Sequence, residues 1–185
     1  SNPDLAAEWA DFILPLLRQV WTSGEPGHFV KGTTLCLSSL LETARYEELH
    51  EVLSIRQYAF WPFDQFWAEA LARQGKIDDA IAYAQSRLKN QYDEWQIMQF
   101  CERTLIKAGR GEEAYQNYAL YATWATTNLA TYKTLCKKYP DCEPRRILLD
   151  LIEIRGDKGK WFAAAKDAGF LDIALDCAQC TTPEP

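Results

Sequence analysis

Three observations predict an all-α protein built from antiparallel helix pairs. The 185 residues hold nine Gly and eight Pro, set at spaced points rather than in runs, which suits long helices with punctuated turns better than many short strands. Between those points apolar residues recur every three or four positions, the period of one helix face. One phrase also returns at a fixed interval: Leu71 and Leu105, Gly75 and Gly109, and Ala80 and Ala114 are each 34 residues apart, a spacing typical of helical repeats. Hydrophobic residues make up 48% and aromatics 13%, too rich for a disordered chain and enough for a real core.

The elements follow in order. Asp4 to Trp21 reads as a first helix, in which Trp9, Phe12, Ile13, Leu16, Leu17 and Val20 make one apolar stripe and Pro15 is a place for a kink. Ser23 to Gly32 reads as a loop. Thr33 or Thr34 then caps a helix reaching Ala44, and Arg45-Tyr46 turns the chain into a second one, Glu47 to Ile55. Pro62 opens the next pair with Asp64 as a candidate cap; its first helix ends at Gly75 and its second runs from Asp78 to Leu88. Asp93 caps a helix ending at Gly109, whose partner begins at Glu112 and continues to Ala125. After the polar stretch Thr126 to Thr131 comes a helix to about Lys138, stopped at Tyr139-Pro140-Asp141. Another spans roughly Arg145 to Ile154, Arg155 to Lys160 is a turn, and a last pair surrounds Gly169.

The recurring phrase has a physical basis. Glycine adopts the left-handed conformation that ends a helix without a Cβ clash. The acidic pairs Asp78-Asp79 and Glu112-Glu113 favour the positive end of the following helix. A small Ala five residues after the Gly lets the second helix approach the first. Gly169 and Ala174 repeat the phrase, and Thr43-Ala44-Arg45-Tyr46 with Leu49 is a weaker copy. One such pair cannot bury its own apolar face and must stack on neighbours.

The segments FWAEALARQGKIDDAIAYA and MQFCERTLIKAGRGEEAYQNYA resemble tetratricopeptide-like (TPR-like) repeats. Gly75/Ala80 and Gly109/Ala114 match the family's turn and following small residue. Ala68 matches its early small residue, where the next unit has Glu102; Tyr118 matches its second-helix aromatic, where the first unit has Ala84; the trailing Pro is absent from both. The resemblance implies a right-handed superhelix, an α-solenoid, over 1–185, with its best units at about 62–92 and 93–125. It further implies a concave face lined by first helices, hence by Gln65, Glu69 and Arg73 in one unit and Gln99, Arg103 and Lys107 in the next. A weaker similarity is to helical regions that accompany SWIM-type zinc fingers in bacterial proteins, although the Cys-x-Cys and Cys-x-His signature of those fingers is missing.

Composition narrows the function. Net charge is −6 and the pI about 5.0, without the basic footprint of a nucleic-acid binder; only 131–160 is locally basic. No apolar run spans a bilayer and no secretory leader is evident, so a cytoplasmic, reducing setting is expected for Cys36, Cys101, Cys136, Cys142, Cys177 and Cys180. The tail Thr181 to Pro185 reads as linker, and the chain as a fragment of a longer protein. Cys177-x2-Cys180 lacks the second knuckle that a zinc site needs, and His28 and His50 have no nucleophile arrangement. Arg155-Gly156-Asp157-Lys158-Gly159-Lys160 lacks P-loop spacing. The expectation is a non-catalytic protein-interaction scaffold without metal or cofactor, binding a protein or peptide. Two alternatives stand: a nucleic-acid or anion-binding repeat using 131–160, and a regulatory domain attached to an enzyme. The dense aromatic run Phe60-Trp61-Pro62-Phe63 with Phe66-Trp67 is either core or binding surface.

Overall fold

The computed structural model describes residues 3–23, 30–56, 58–88 and 91–180. Among them there are helices and turns and no strand. The helices are α1 (Pro3–Ser23), α2 (Thr33–Glu42), α3 (Tyr46–Ile55), α4 (Trp61–Arg73), α5 (Ile77–Gln85), α6 (Gln91–Lys107), α7 (Gly111–Ala114), α8 (Leu120–Ala122), α9 (Asn128–Lys138), α10 (Pro144–Arg155), α11 (Phe162–Asp167) and α12 (Leu171–Gln179). A π-helical turn, Tyr115–Ala119, joins α7 to α8, and a 3-10 turn, Lys158–Trp161, leads into α11. The chain divides into two compact units, Ser1–Thr104 and Leu105–Pro185.

The expected helix-ending turn occurs four times. Ala44, Gly75, Gly109 and Gly169 all have positive φ, at 55°, 77°, 76° and 84°. In each copy the next residue's N–H reaches back to a carbonyl five positions earlier: Arg45 to Leu40, Lys76 to Leu71, Arg110 to Leu105 and Phe170 to Ala165. That is the Schellman closure of a helix C-terminus. The carbonyl of that same residue then accepts the first bond of the following helix, from Leu49, Ala80, Ala114 and Ala174. All four of these are buried. Arg45 and Arg110 further hold the new helix by forked bonds to Glu48 and Glu113, three residues on.

In the first unit, α2 packs on α1, and α4 packs on α2, α3 and α5. The core gathers Ala10, Leu14, Leu17, Leu37, Leu40, Leu49 and Val52. The apolar stripe expected of α1 is divided by this packing. Ile13 and Leu17 are buried, together with Ala10 and Leu14, whereas Trp9, Phe12 and Leu16 are exposed with Leu5 on a second stripe. The helix is apolar around more than half its circumference, and α2 and α3 cover one side. It continues without a break through Pro15. The aromatic run is mostly core: Trp61 and Phe63 are buried, Phe66 and Trp67 are partly buried against the core, and Phe60 is exposed.

In the second unit α9 packs on α10 and α11, and α11 on α12. Leu135, Ile147, Leu148, Leu151, Trp161 and Cys177 are buried there. The π turn was not foreseen. On it Tyr115, fully enclosed, donates its hydroxyl to Asp150 Oδ2 at 2.6 Å and meets the Tyr139 ring edge-on. Burial and the Asp150 carboxylate both push its phenol pKa upward.

Some capping assignments change. Gly32, in the left-handed conformation, precedes α2; Thr33 is the first helical residue and turns its hydroxyl back to the Val30 carbonyl. Asp93 lies inside the first turn of α6, whose start is Gln91. Thr127 caps α9 by accepting from the Ala130 N–H.

Candidate functional site

The six residues expected to bind a partner lie on α4 and α6. None is buried. Gln65 donates to the Pro62 carbonyl, and Arg73 bridges to Glu42 at 2.7 Å and approaches Glu69 at 3.7 Å. The α4 stripe is therefore partly committed to its own unit, with the Arg73 guanidinium held over α2. Gln99 is half-buried, and Arg103 is exposed with its guanidinium 5.7 Å from the Phe100 ring centre. Lys107 is exposed and belongs to the second unit. Helices α4 and α6 touch through Trp61 and Phe100, whose rings meet edge-on at 5.4 Å. Gln65 lies four residues after Trp61 on α4, and Arg103 three residues after Phe100 on α6.

A second grouping lies where α3, α4 and α5 converge. Arg56 ends α3 with its side chain 2% exposed, and Asp64 on α4 is 3% exposed. Arg56 Nη2 donates to Asp64 Oδ1, Tyr83 Oη donates to the same oxygen at 3.2 Å, and the Phe60 N–H donates to Oδ2 at 2.8 Å. Asp64 thus ties the start of α4 from its fourth residue, where a cap ahead of the helix was expected. Arg87 Nε stands 4.0 Å from Oδ2, with its guanidinium over the Tyr83 ring. The Arg56 guanidinium sits 5.3–5.5 Å from the Trp21, Tyr58 and Phe63 ring centres, a cation–π arrangement that offsets part of its desolvation. Burial and the adjacent Asp64 charge push the Tyr83 phenol to about 12. A cavity of about 320 Å³ opens beside these groups, with His50 and Leu53 in its wall. The only sequence signal was a carboxylate among rings in FWPFDQFW.

The basic segment 131–160 spends much of its charge internally. Arg145 forks onto Asp172, Arg146 pairs with Glu112 and Asp150, Lys158 pairs with Asp176, and Lys160 with Asp157. Arg155 donates to the Leu120 and Thr123 carbonyls and stacks on exposed Trp124; burial lowers its pKa.

The Arg145 hydrogen bond holds the Asp172 carboxyl down at about 2. A carboxylate depressed below its unfolded value near 3.9 stabilises the fold above that value, and the contribution disappears as pH falls from about 4 toward 2. Carboxyl titration by NMR should therefore find Asp172 near 2 in the natural chain and clearly higher in Arg145→Gln. Equal midpoints would show that the fork does not persist in solution.

Cys177 is buried and Cys180 exposed. Among the described residues, no three His, Cys, Asp or Glu side chains are grouped to hold a metal ion, and no helix is long and apolar enough to cross a membrane. His28 lies outside the described residues; His50 stacks against Trp67 at 4.4 Å between ring centres. No protein family, curated protein or solved structure matches the chain.

Proposed function

We propose that this protein is a non-catalytic interaction scaffold of tetratricopeptide-like type, in which α4 and α6 present a polar surface to a peptide or protein. The observation that supports this reading is the Trp61–Phe100 contact, which joins α4 to α6, with Gln65 four residues after Trp61 and Arg103 three residues after Phe100. The fourfold Schellman turn, each followed by a buried residue five positions later, supports a repeat architecture around it. Arg103 is the anchor of choice: it is exposed, and its planar fork can hold a carboxylate with two parallel bonds. The nucleic-acid alternative is weakened by the ion pairs that occupy the basic segment.

Selection of a randomised peptide library against the full chain tests this. Enriched peptides should bind Arg103→Ala at least about fivefold more weakly, matching a loss of about 1 kcal/mol. Thermal stability of the variant should stay within about 0.5 kcal/mol, as for an exposed site. Failure to enrich any peptide, or peptides indifferent to Arg103, would refute the assignment.

A further inference from the structure

The cavity beside Asp64 holds more positive charge than its own residues neutralise. Two guanidinium groups, Arg56 and Arg87, line it, and among the described residues of its wall Asp64 is the single carboxylate. Asp64 is already engaged on both oxygens: Oδ1 accepts from Arg56 and Tyr83, and Oδ2 accepts from the Phe60 N–H and faces Arg87. Arg56 Nε and Nη1 and Arg87 Nε are nevertheless enclosed without a hydrogen-bond partner. In a chain of net charge −6, a surplus of one positive charge among the described residues of a cavity wall runs against the overall balance. Leaving guanidinium N–H groups enclosed without acceptors is costly, and the rings around Arg56 offset only part of that cost.

We propose that this cavity is a binding site for a small organic monocarboxylate. Arg87, with 30% of its side chain exposed, supplies the reachable guanidinium. Arg56 lies behind it as a fixed charge, oriented by Asp64 and by the rings of Trp21, Tyr58 and Phe63. A single negative charge balances two guanidiniums and one carboxylate, whereas a phosphate dianion would overshoot. Tyr83 stays protonated at neutral pH, since its phenol is raised to about 12, and so adds no competing anion. Leu53 and Ala59 give the wall an apolar portion. A volume of about 320 Å³ is at the small end of ligand pockets, which suits a carboxylate on a compact apolar body. The site lies entirely within the first unit and is independent of the peptide surface proposed above.

Calorimetric titration of the full chain at low salt, with benzoate, benzamide and phenyl phosphate as probes, tests the site. Benzoate should bind saturably with one site per chain. Its neutral isostere benzamide and phenyl phosphate should each bind at least tenfold more weakly. Arg87→Gln should weaken benzoate at least tenfold while leaving the circular dichroism spectrum of the unliganded protein unchanged. Arg56→Lys, which keeps the charge but not the fork, should retain benzoate binding more fully than Arg87→Gln. No saturable benzoate binding, equal binding of benzoate and benzamide, preference for phenyl phosphate, or indifference to Arg87→Gln would each overturn the proposal. None of these outcomes bears on Arg103 and the peptide surface.

Discussion

Asp64→Ala should destabilise the protein by about 3–5 kcal/mol, the cost of removing one partner from a buried ion pair and leaving the other charge unpaired. The magnitude follows from burial, since Arg56 and Asp64 are 2% and 3% exposed, far from the screened surface pairs that contribute little. The substitution also frees the Phe60 N–H and the Tyr83 hydroxyl. Removing both charges is a different perturbation: Arg56→Met with Asp64→Leu takes away the pair without stranding a charge, and much of the loss should be recovered. Urea unfolding followed by tryptophan fluorescence measures both variants. With two compact units the transition is tested for two-state behaviour before a free energy is extracted. A loss below about 1 kcal/mol for Asp64→Ala, or a double variant no better than the single, would show that the buried pair does not hold the start of α4.

The helices were readable in advance because their signals are local. Gly75, Gly109 and Gly169 occupy the left-handed stations that their spacing suggested, and Ala44 takes the same conformation without being glycine. The pairs that join distant elements left no such trace. Asp11 and Arg45 are 34 residues apart, as are Glu112 and Arg146. In the sequence each is one more charge on a solvated helix face. Arg56 was equally mute: it follows a helix and precedes a Gln and a Tyr, and its enclosure comes from distant residues, Trp21, Phe63 and Asp64 among them. The π turn at Tyr115–Ala119 also lacks a local signature, because Tyr115-Gln116-Asn117-Tyr118-Ala119 continues the helical pattern around it without a Gly or Pro. The expected α1 stripe failed for a different reason. Periodicity identifies apolar faces but does not say which one is covered when a helix has two, and Phe12 is 78% exposed while Ile13 beside it is buried. The candidate partner surface was legible as positions but not as commitments, since nothing in the spacing of Gln65, Glu69 and Arg73 announces the bridge from Arg73 to Glu42.

Ala80→Leu and Ala114→Leu should each cost about 1–3 kcal/mol, because both side chains are fully enclosed and extra methylenes have nowhere to go without moving a helix. Each Ala donates the first backbone bond after its turn, to Lys76 and to Arg110, so the backbone cannot slide to make room without breaking the turn. The equivalent station after Ala44 is Leu49, which is also fully buried. The turn itself therefore admits a large residue, and the penalty at Ala80 comes from how closely α5 lies on α4. That separates two explanations of the 34-residue phrase. If the small residue is required by packing, Ala80→Leu and Ala114→Leu destabilise, and Leu49→Ala, which opens a cavity, destabilises as well, by about 2–5 kcal/mol. If the phrase only records helix propensity, both Ala variants stay within about 0.5 kcal/mol, since Leu is nearly as good a helix former as Ala. Chemical denaturation of the three variants, with helix content checked by circular dichroism, decides between them. Because Ala80 belongs to the first unit and Ala114 to the second, agreement between the two would show that the same packing requirement recurs in both.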